Sequence, residues 1–351
     1  MRILVGMSGG IDSTFAAHRL MSLGHEVAGA VIDMHEHSDI SAAKAAAQAL
    51  GISLYIINCR KPFEERVVSN FVAEYREGRT PNPCIICNSE VKFEFLLDFA
   101  LENGFDAIAT GHYAKICSSD FDGERRYYLA DSLDTKKDQT YMLWRLSQRV
   151  LSRLVLPLSD FTKEEVRNEV RSLGLVSLDR PDSQEICFIP DNDHGEFIRN
   201  RVGEIPEGDF VDTEGRVLGR HKGIVNYTVG QRKGLGVALG ARAFIRDIDP
   251  VSNRITLSTE IGESTAFTVR DVVFSGIYPT SFPAEYRLSV KHRYQAPRTS
   301  ATVVFYENGR AEVRSDSPVK SVTPGQSAVF YLDGALVAGG FIDRPDTHLT
   351  P

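Results

Sequence analysis

An α/β fold, built on a doubly wound parallel sheet and followed by a β-rich remainder, is what three observations predict for this chain of 351 residues. Through roughly the first hundred residues, apolar runs alternate with helix-patterned stretches of about ten residues or more, the sign of a parallel sheet. Several runs end at glycine or polar residues (Ser8, Asp33, Gly111), and such sheets hold ligands beyond the carboxyl ends of their strands. From about residue 205, helical periodicity disappears and glycine-bearing turns recur.

The first run, Ile3-Leu4-Val5, leads into Ser8-Gly9-Gly10-Ile11-Asp12-Ser13 and a helix-like stretch. A strand passing through two glycines into a helix start aims several free N–H groups at one point, which suits a phosphate anion. Gly9 and Gly10 let the backbone come close, while Ser8, Ser13 and Thr14 add hydroxyl donors. Asp12 beside a phosphate suggests a Mg²⁺ between them. No Gly-Lys-Ser/Thr follows, which excludes the P-loop of kinases and GTPases.

Residues 27–33 form a continuous apolar run, 41–50 an Ala-rich helix stopped by Gly51, and 53–58 a strand. Residues 62–77 place Phe63, Val67, Phe71 and Tyr75 on one helical face, and Gly78 ends that helix. Residues 89–103 read as a helix stopped by Gly104, 106–110 as a strand, and 138–175 as helical with a start at Thr162. In the β-rich half, residues 212–215, Asn308-Gly309 and Asp333-Gly334 read as hairpin tips.

Bulk properties set limits. Charged residues at 25% and hydrophobic residues at 42% make an ordinary soluble composition. No apolar run is long enough to cross a membrane and no signal peptide is evident, so a cytoplasmic protein is expected. A net charge of −7 argues against loose nucleic-acid binding but allows a local basic face. Five cysteines in such a chain are not a disulfide scaffold and read as reactive or metal-binding thiols.

Gly78-Arg79-Thr80-Pro81-Asn82-Pro83-Cys84-Ile85-Ile86-Cys87-Asn88 is held extended by its prolines and ends at a helix start. That position predicts a lowered thiol pKa for Cys87. Cys84-x-x-Cys87 alone allows a redox pair, half a zinc site or iron–sulfur ligation, and there is no second such pair. Asp182 to Phe188 carries Cys187 between Ile186 and Phe188, which taken alone reads as a buried structural cysteine. Cys59 closes a strand and Cys117 falls in a loop, so neither is assigned chemistry.

These segments, with Ala109-Thr110-Gly111-His112-Tyr113, Lys137-Asp138-Gln139 and the run from Tyr227 to Gly236, occur in one order. Together they resemble the tRNA-specific 2-thiouridylases, the MnmA family, from the first strand to the end of the chain. The resemblance implies a sheet of the PP-loop ATP pyrophosphatase type, then a β-rich central domain and a C-terminal β-barrel. The divisions expected are 1–192, with a helical tRNA-contacting segment near 132–175, then 193–259 and 260–351.

It also implies a reaction. ATP binds with its pyrophosphate on the Ser8 loop, at Gly6, Met7, Ser8, Gly9, Gly10, Ile11, Asp12, Ser13, Ile32 and Gly111. The O2 of an anticodon uridine attacks the α-phosphate, pyrophosphate leaves, and sulfur then displaces AMP. By resemblance Cys187 receives a persulfide, Cys87 is its partner nucleophile, and the two can form a disulfide. Asn82, Pro83 and Cys84 are implied to contact the target base, and Lys137, Asp138, Gln139, Arg293 and Tyr294 the tRNA. Position 34 in tRNAs for lysine, glutamate and glutamine is the implied target. Lys137, Arg293 and Arg298 are suited to neutralising phosphates and Tyr294 to stacking on a base, although a lone surface cation more often serves only solvation. Gln231-Arg232-Lys233 reads equally as a phosphate contact or a tight turn.

The chain departs from the pattern twice. Where many members have Asp-x-x-Cys, this chain has Cys84 before Cys87, giving a trio with Cys187. Three cysteines leave one iron of a [4Fe-4S] cluster open to exogenous sulfide, so a cluster competes with persulfide relay as the sulfur route. After the second strand, His35-Glu36-His37 replaces the usual residues, and a solvated loop is favoured over a metal site. Another PP-loop adenylating enzyme, acting on a small molecule, is the rival function.

Overall fold

The computed structural model describes residues 1–174, 186–237 and 242–344. The first sheet is parallel, in the order β3-β2-β1-β4-β7. Its strands are β1 (Arg2–Gly6), β2 (Glu26–Asp33), β3 (Leu54–Asn58), β4 (Ala107–Thr110) and β7 (Leu154–Val155). Strand alternation divides β1 between two cores. Leu4 packs with Phe71, Phe93 and Leu96 on one face, whereas Ile3 and Val5 pack with Phe15, Ala43 and Ala46 on the other.

Helix α1 (Ile11–Ser22) and helix α2 (Ile40–Leu50) cover the second face. On the first face, two long helices each pass through a π-helical turn. One comprises Arg60–Phe63, the π turn Glu64–Val68 and Ser69–Arg76; the other comprises Pro83–Ile86, the π turn Cys87–Lys92 and Phe93–Glu102. Phe63, Val67, Phe71 and Tyr75 are all buried, as their spacing of four predicts.

The stretch expected to be helical over 138–175 is only partly so in its described residues. Short turns at Thr140–Leu143 and Gln148–Leu151 precede β7, which extends the parallel sheet beside β4, before the helix Lys163–Ser172. Two residues are too few for a strand to show periodicity. Cys117 also differs from expectation. It lies on β5 (Lys115–Phe121), which pairs with β6 (Glu124–Ala130).

A four-stranded sheet follows, in the order β10-β11-β8-β9, from β8 (Gly208–Val211), β9 (Val217–His221), β10 (Phe244–Asp249) and β11 (Arg254–Ser258). The last six strands close a barrel: β12 (Glu263–Phe274), β13 (Ala284–Lys291), β14 (Thr299–Phe305), β15 (Ala311–Lys320), β16 (Ser327–Leu332) and β17 (Ala335–Ile342). Closure depends on β12, whose first part pairs with β15 and whose second part pairs with β17. An irregularity between Arg270 and Val273, with Asp271 at φ 54°, bends the strand between its two partners. The β5–β6 hairpin joins this barrel rather than the parallel sheet, through Ala130 and Ala335.

Candidate active site

The Ser8 loop leaves β1 at the edge where β2 and β4 also end. Gly10 is the N-cap of α1 and offers no capping side chain, so the first-turn N–H groups are left for an anion. Hydroxyls tie the loop: Ser13 Oγ accepts from the Ser8 amide (3.2 Å) and donates to the Gly10 carbonyl (3.1 Å). Gly9 is required on two counts, a φ of +77° and a Cβ that would lie 2.4 Å from the Ala42 carbonyl carbon. Gly111, after β4, passes so close that its Cβ would lie 2.5 Å from the Asp12 carbonyl carbon. The loop therefore leaves no room for side chains at these glycines.

Asp12 is engaged: Lys163 Nζ donates to both of its carboxylate oxygens, at 2.8 and 2.7 Å. The Tyr113 hydroxyl donates to the same carboxylate at 2.9 Å. The carboxylate thus sits in an ion pair while its side chain keeps 31% of its exposure. Lys163 opens its helix at a capping box formed by Thr162 and Glu165, and it is buried. It was not singled out in the sequence. A buried lysine in the first turn of a helix, where the dipole disfavours a cation, is the signal that could have found it.

The cysteine segment is pinned on both sides. Thr80 N donates to the Pro324 carbonyl (2.8 Å) and Gln326 Nε2 to the Thr80 carbonyl (2.8 Å), so the barrel clamps the proline-rich stretch. Asn82 caps the next helix, its Oδ1 accepting from the Cys84 amide at 3.2 Å. Pro83 is buried at the first helical position.

Cys87 Sγ sits 3.5 Å from Met34 Sδ, just past the end of β2. Its thiol is not lowered as the helix start predicted. Burial pushes it up to about 12, outweighing the nearby Lys92. Cys84 and Cys187 are exposed to solvent, yet protein crowds both, and desolvation raises each thiol. The stretch 182–185 of the Cys187 segment lies outside the described residues. His112, hydrogen-bonded to Thr110 Oγ1 at 2.8 Å, is pushed down to about 3 by burial and is neutral.

Among the described residues, no group of three or more His, Cys, Asp or Glu side chains is arranged to hold a metal ion. Nothing among the described residues supports a [4Fe-4S] cluster on Cys84, Cys87 and Cys187, and no step is drawn through one. The same holds for His35, Glu36 and His37. His35 packs on Phe63 (5.6 Å between centroids), and Glu36 and His37 are exposed. Beside them opens a cavity of about 770 Å³, walled by Met34, Phe63, Phe188, Phe197 and Arg201 among others.

Most side chains expected to face tRNA are engaged within the protein. Asp138 is buried and accepts from Ser132 N (3.1 Å) and Thr140 N (3.1 Å). Gln139 Oε1 accepts from the Tyr113 amide (2.9 Å). Arg293 donates to Thr323 Oγ1 and to the Val229 carbonyl, bridging the middle sheet and the barrel. Arg298 pairs with Asp131 and covers the Tyr331 ring at 3.5 Å. Both arginines are thus held by partners within the protein. Tyr294 and Tyr141 lie under Lys291 Nζ, at 5.4 and 5.9 Å. Gln231 closes a turn on itself, Oε1 accepting from Thr228 N and Nε2 donating to the Lys233 carbonyl.

Comparison with known proteins gives three consecutive family matches: "tRNA methyl transferase HUP domain" over residues 1–191, "tRNA methyl transferase PRC-barrel domain" over 195–259, and "Aminomethyltransferase beta-barrel domain" over 264–342. Among full-length relatives, the tRNA-specific 2-thiouridylase MnmA of Acetivibrio thermocellus is 44% identical over 358 residues, covering 97% of this chain and 98% of that protein. The protein named MnmA 2 of Caldanaerobacter subterraneus subsp. tengcongensis is 42% identical over 362 residues, covering 98% of each. The MnmA of Clostridium perfringens is 42% identical over 358 residues. Among the described residues, no helix is long and apolar enough to cross a membrane.

Proposed function

Because the chain belongs to the tRNA-specific 2-thiouridylase family, we propose that it replaces O2 of the wobble uridine of tRNA with sulfur at the expense of ATP. The descriptions of two family matches name a methyl transferase; the reading here follows the relatives matched along nearly their whole length. One observation carries it: the glycine-lined loop at the end of β1 and the buried Cys87 thiol, 3.5 Å from Met34 just past the end of β2, lie at the same edge of the parallel sheet.

ATP lies with its pyrophosphate against the N–H groups of residues 8–11, between Gly9 and Gly111. Lys163 supplies the fixed positive charge that a loop without Gly-Lys-Ser/Thr lacks, and Asp12 and Tyr113 hold it in place. The uridine O2 attacks the α-phosphorus and pyrophosphate leaves. Adenylation turns a poor leaving group into a good one, and a persulfide on Cys187, or free sulfide, brings the sulfur that displaces AMP. Cys87 then resolves the sulfur–cysteine bond. Asn82 and Pro83 set the rim of the cleft that a splayed anticodon base must enter. Lys137 and Tyr294 serve as the tRNA contacts, and the parts 1–192, 193–259 and 260–351 work as three domains. The expected substrates are the lysine, glutamate and glutamine tRNAs.

The test is a purified reaction containing ATP, tRNA and a persulfide donor. Release of AMP and pyrophosphate with formation of 2-thiouridine is expected. ATP turnover that needs a small molecule and ignores tRNA would reject the reading in favour of another adenylating enzyme.

A further inference from the structure

The helix that carries Cys84 and Cys87 leaves α geometry where it borders the cleft, over Cys87–Lys92. On an α-helix, residues five apart stand roughly 140° apart around the axis. The i→i+5 bonding of a π turn instead stacks the fifth residue over the first. Lys92 is thereby brought to the face of Cys87. Its neighbours Val91 and Phe93 are fully buried, and the Phe93 ring lies 5.4 Å from that of His112, anchoring the turn beside the end of β4.

Lys92 is half-buried, and among the described residues no hydrogen bond or ion pair holds its ammonium. The charged groups of the same turn and of the helices packed against it are already matched. Glu90 takes Arg145, Glu64 takes Arg201, Glu65 takes Lys61 and Asp33 takes Arg60. Arg66 donates to the Glu90 carbonyl. What remains around the ammonium is sulfur and imidazole: Cys84, Cys87, Cys187 and His112 all feel its charge. A half-buried cation with no carboxylate partner is placed to stabilise an anion that forms beside it.

We propose that Lys92 is the electrostatic residue of the sulfur-transfer step, set by the π turn to hold negative charge on the sulfurs of Cys87 and Cys187. This rests on the function proposed above for the two cysteines. In that step the Cys87 thiolate attacks Sγ of Cys187 in the Cys187–S–C2 adduct. A Cys87–Cys187 disulfide forms and the bond from Cys187 Sγ to the transferred sulfur breaks. The electron pair stays on the sulfur bound to C2, N3 of the base takes a proton, and a thiol reductant returns the disulfide to two thiols. His112, being neutral, does not compete with Lys92 as a cation. Burial alone would leave Cys87 protonated, and the ammonium is the one opposing influence on it.

Alkylation by iodoacetamide across a pH series, read at each cysteine by peptide mass spectrometry, tests the proposal on the full chain. In Lys92→Met the profiles at Cys87 and Cys187 should move up by about one pH unit, a roughly tenfold loss of rate near neutral pH. Lys92→Arg should restore them, and Cys117 on β5 should not change. Superimposable profiles in the three proteins would overturn the proposal. So would an equal shift at Cys117, which reports general loosening and not a local charge. Wild-type protein that fails to thiolate tRNA rejects the functional reading, yet leaves this readout intact.

Discussion

Lys163 grips Asp12 across 151 residues of sequence, its Nζ lying 2.8 and 2.7 Å from the two carboxylate oxygens. The pair ties the first turn of one helix to the first turn of another and puts a buried ammonium beside the phosphate cradle. Lys163→Met should therefore lower tRNA-dependent pyrophosphate release by about 100-fold, the scale of losing one preorganised charge. Lys163→Arg should rescue poorly, since a planar fork cannot replace a point charge in a tight site. Pyrophosphate release by Lys163→Met within about threefold of wild type would show that the pair is only structural.

The glycines of the cradle should be intolerant for a stated reason. Gly9→Ala and Gly111→Ala each force a Cβ to within 2.4–2.5 Å of backbone carbon, so both should abolish ATP binding and cost about 1–3 kcal/mol of stability. Gly24→Ala, at a φ of +81° but with nothing within 4 Å, should show only backbone strain of about 1 kcal/mol. Thermal melting with and without ATP separates the cases.

His112 gives a pH signature. Burial brings it from the ordinary imidazole value of 6.5 down to about 3. Between these values the unfolded chain binds the proton and the folded chain does not. Stability from this group is thus complete above about pH 6.5 and is lost as pH falls toward 3. Urea midpoints taken from neutral to mildly acidic pH should fall less steeply in His112→Gln than in wild type.

Arg298 and Asp131 should couple as a fold element. Arg298 pairs with Asp131 just past β6 and lies 3.5 Å from the Tyr331 ring centroid. A double-mutant cycle on Arg298→Ala and Asp131→Ala should return about 1–2 kcal/mol of coupling, less than for a fully buried pair because both side chains keep nearly a third of their exposure. The salt dependence of tRNA binding should stay unchanged in Arg298→Ala. A slope reduced by about one would instead assign Arg298 the phosphate-contact role expected from sequence.

What the sequence made legible was local. The Ser8 loop could be read because strand, glycines and helix start are contiguous, and the cysteine segment because its prolines and helix start are adjacent. Lys163 was invisible because its partner is distant in the chain. The π turn at Cys87–Lys92 keeps the apolar pattern of an ordinary helix, so only coordinates expose it. The Cys87 thiol was misjudged because the helix-start argument counts a dipole and omits burial, which here dominates. That Thr323 and Asp131 hold Arg293 and Arg298 could not be read, because both partners are distant in the chain.

The most direct test of the central claim is nucleoside mass spectrometry of tRNA from cells lacking this gene, complemented with wild type or with Cys187→Ser. The account predicts loss of 2-thiouridine derivatives at position 34, return with the wild-type gene, and no return with Cys187→Ser. Unchanged 2-thiouridine in the deletion strain, or full restoration by Cys187→Ser, would contradict it.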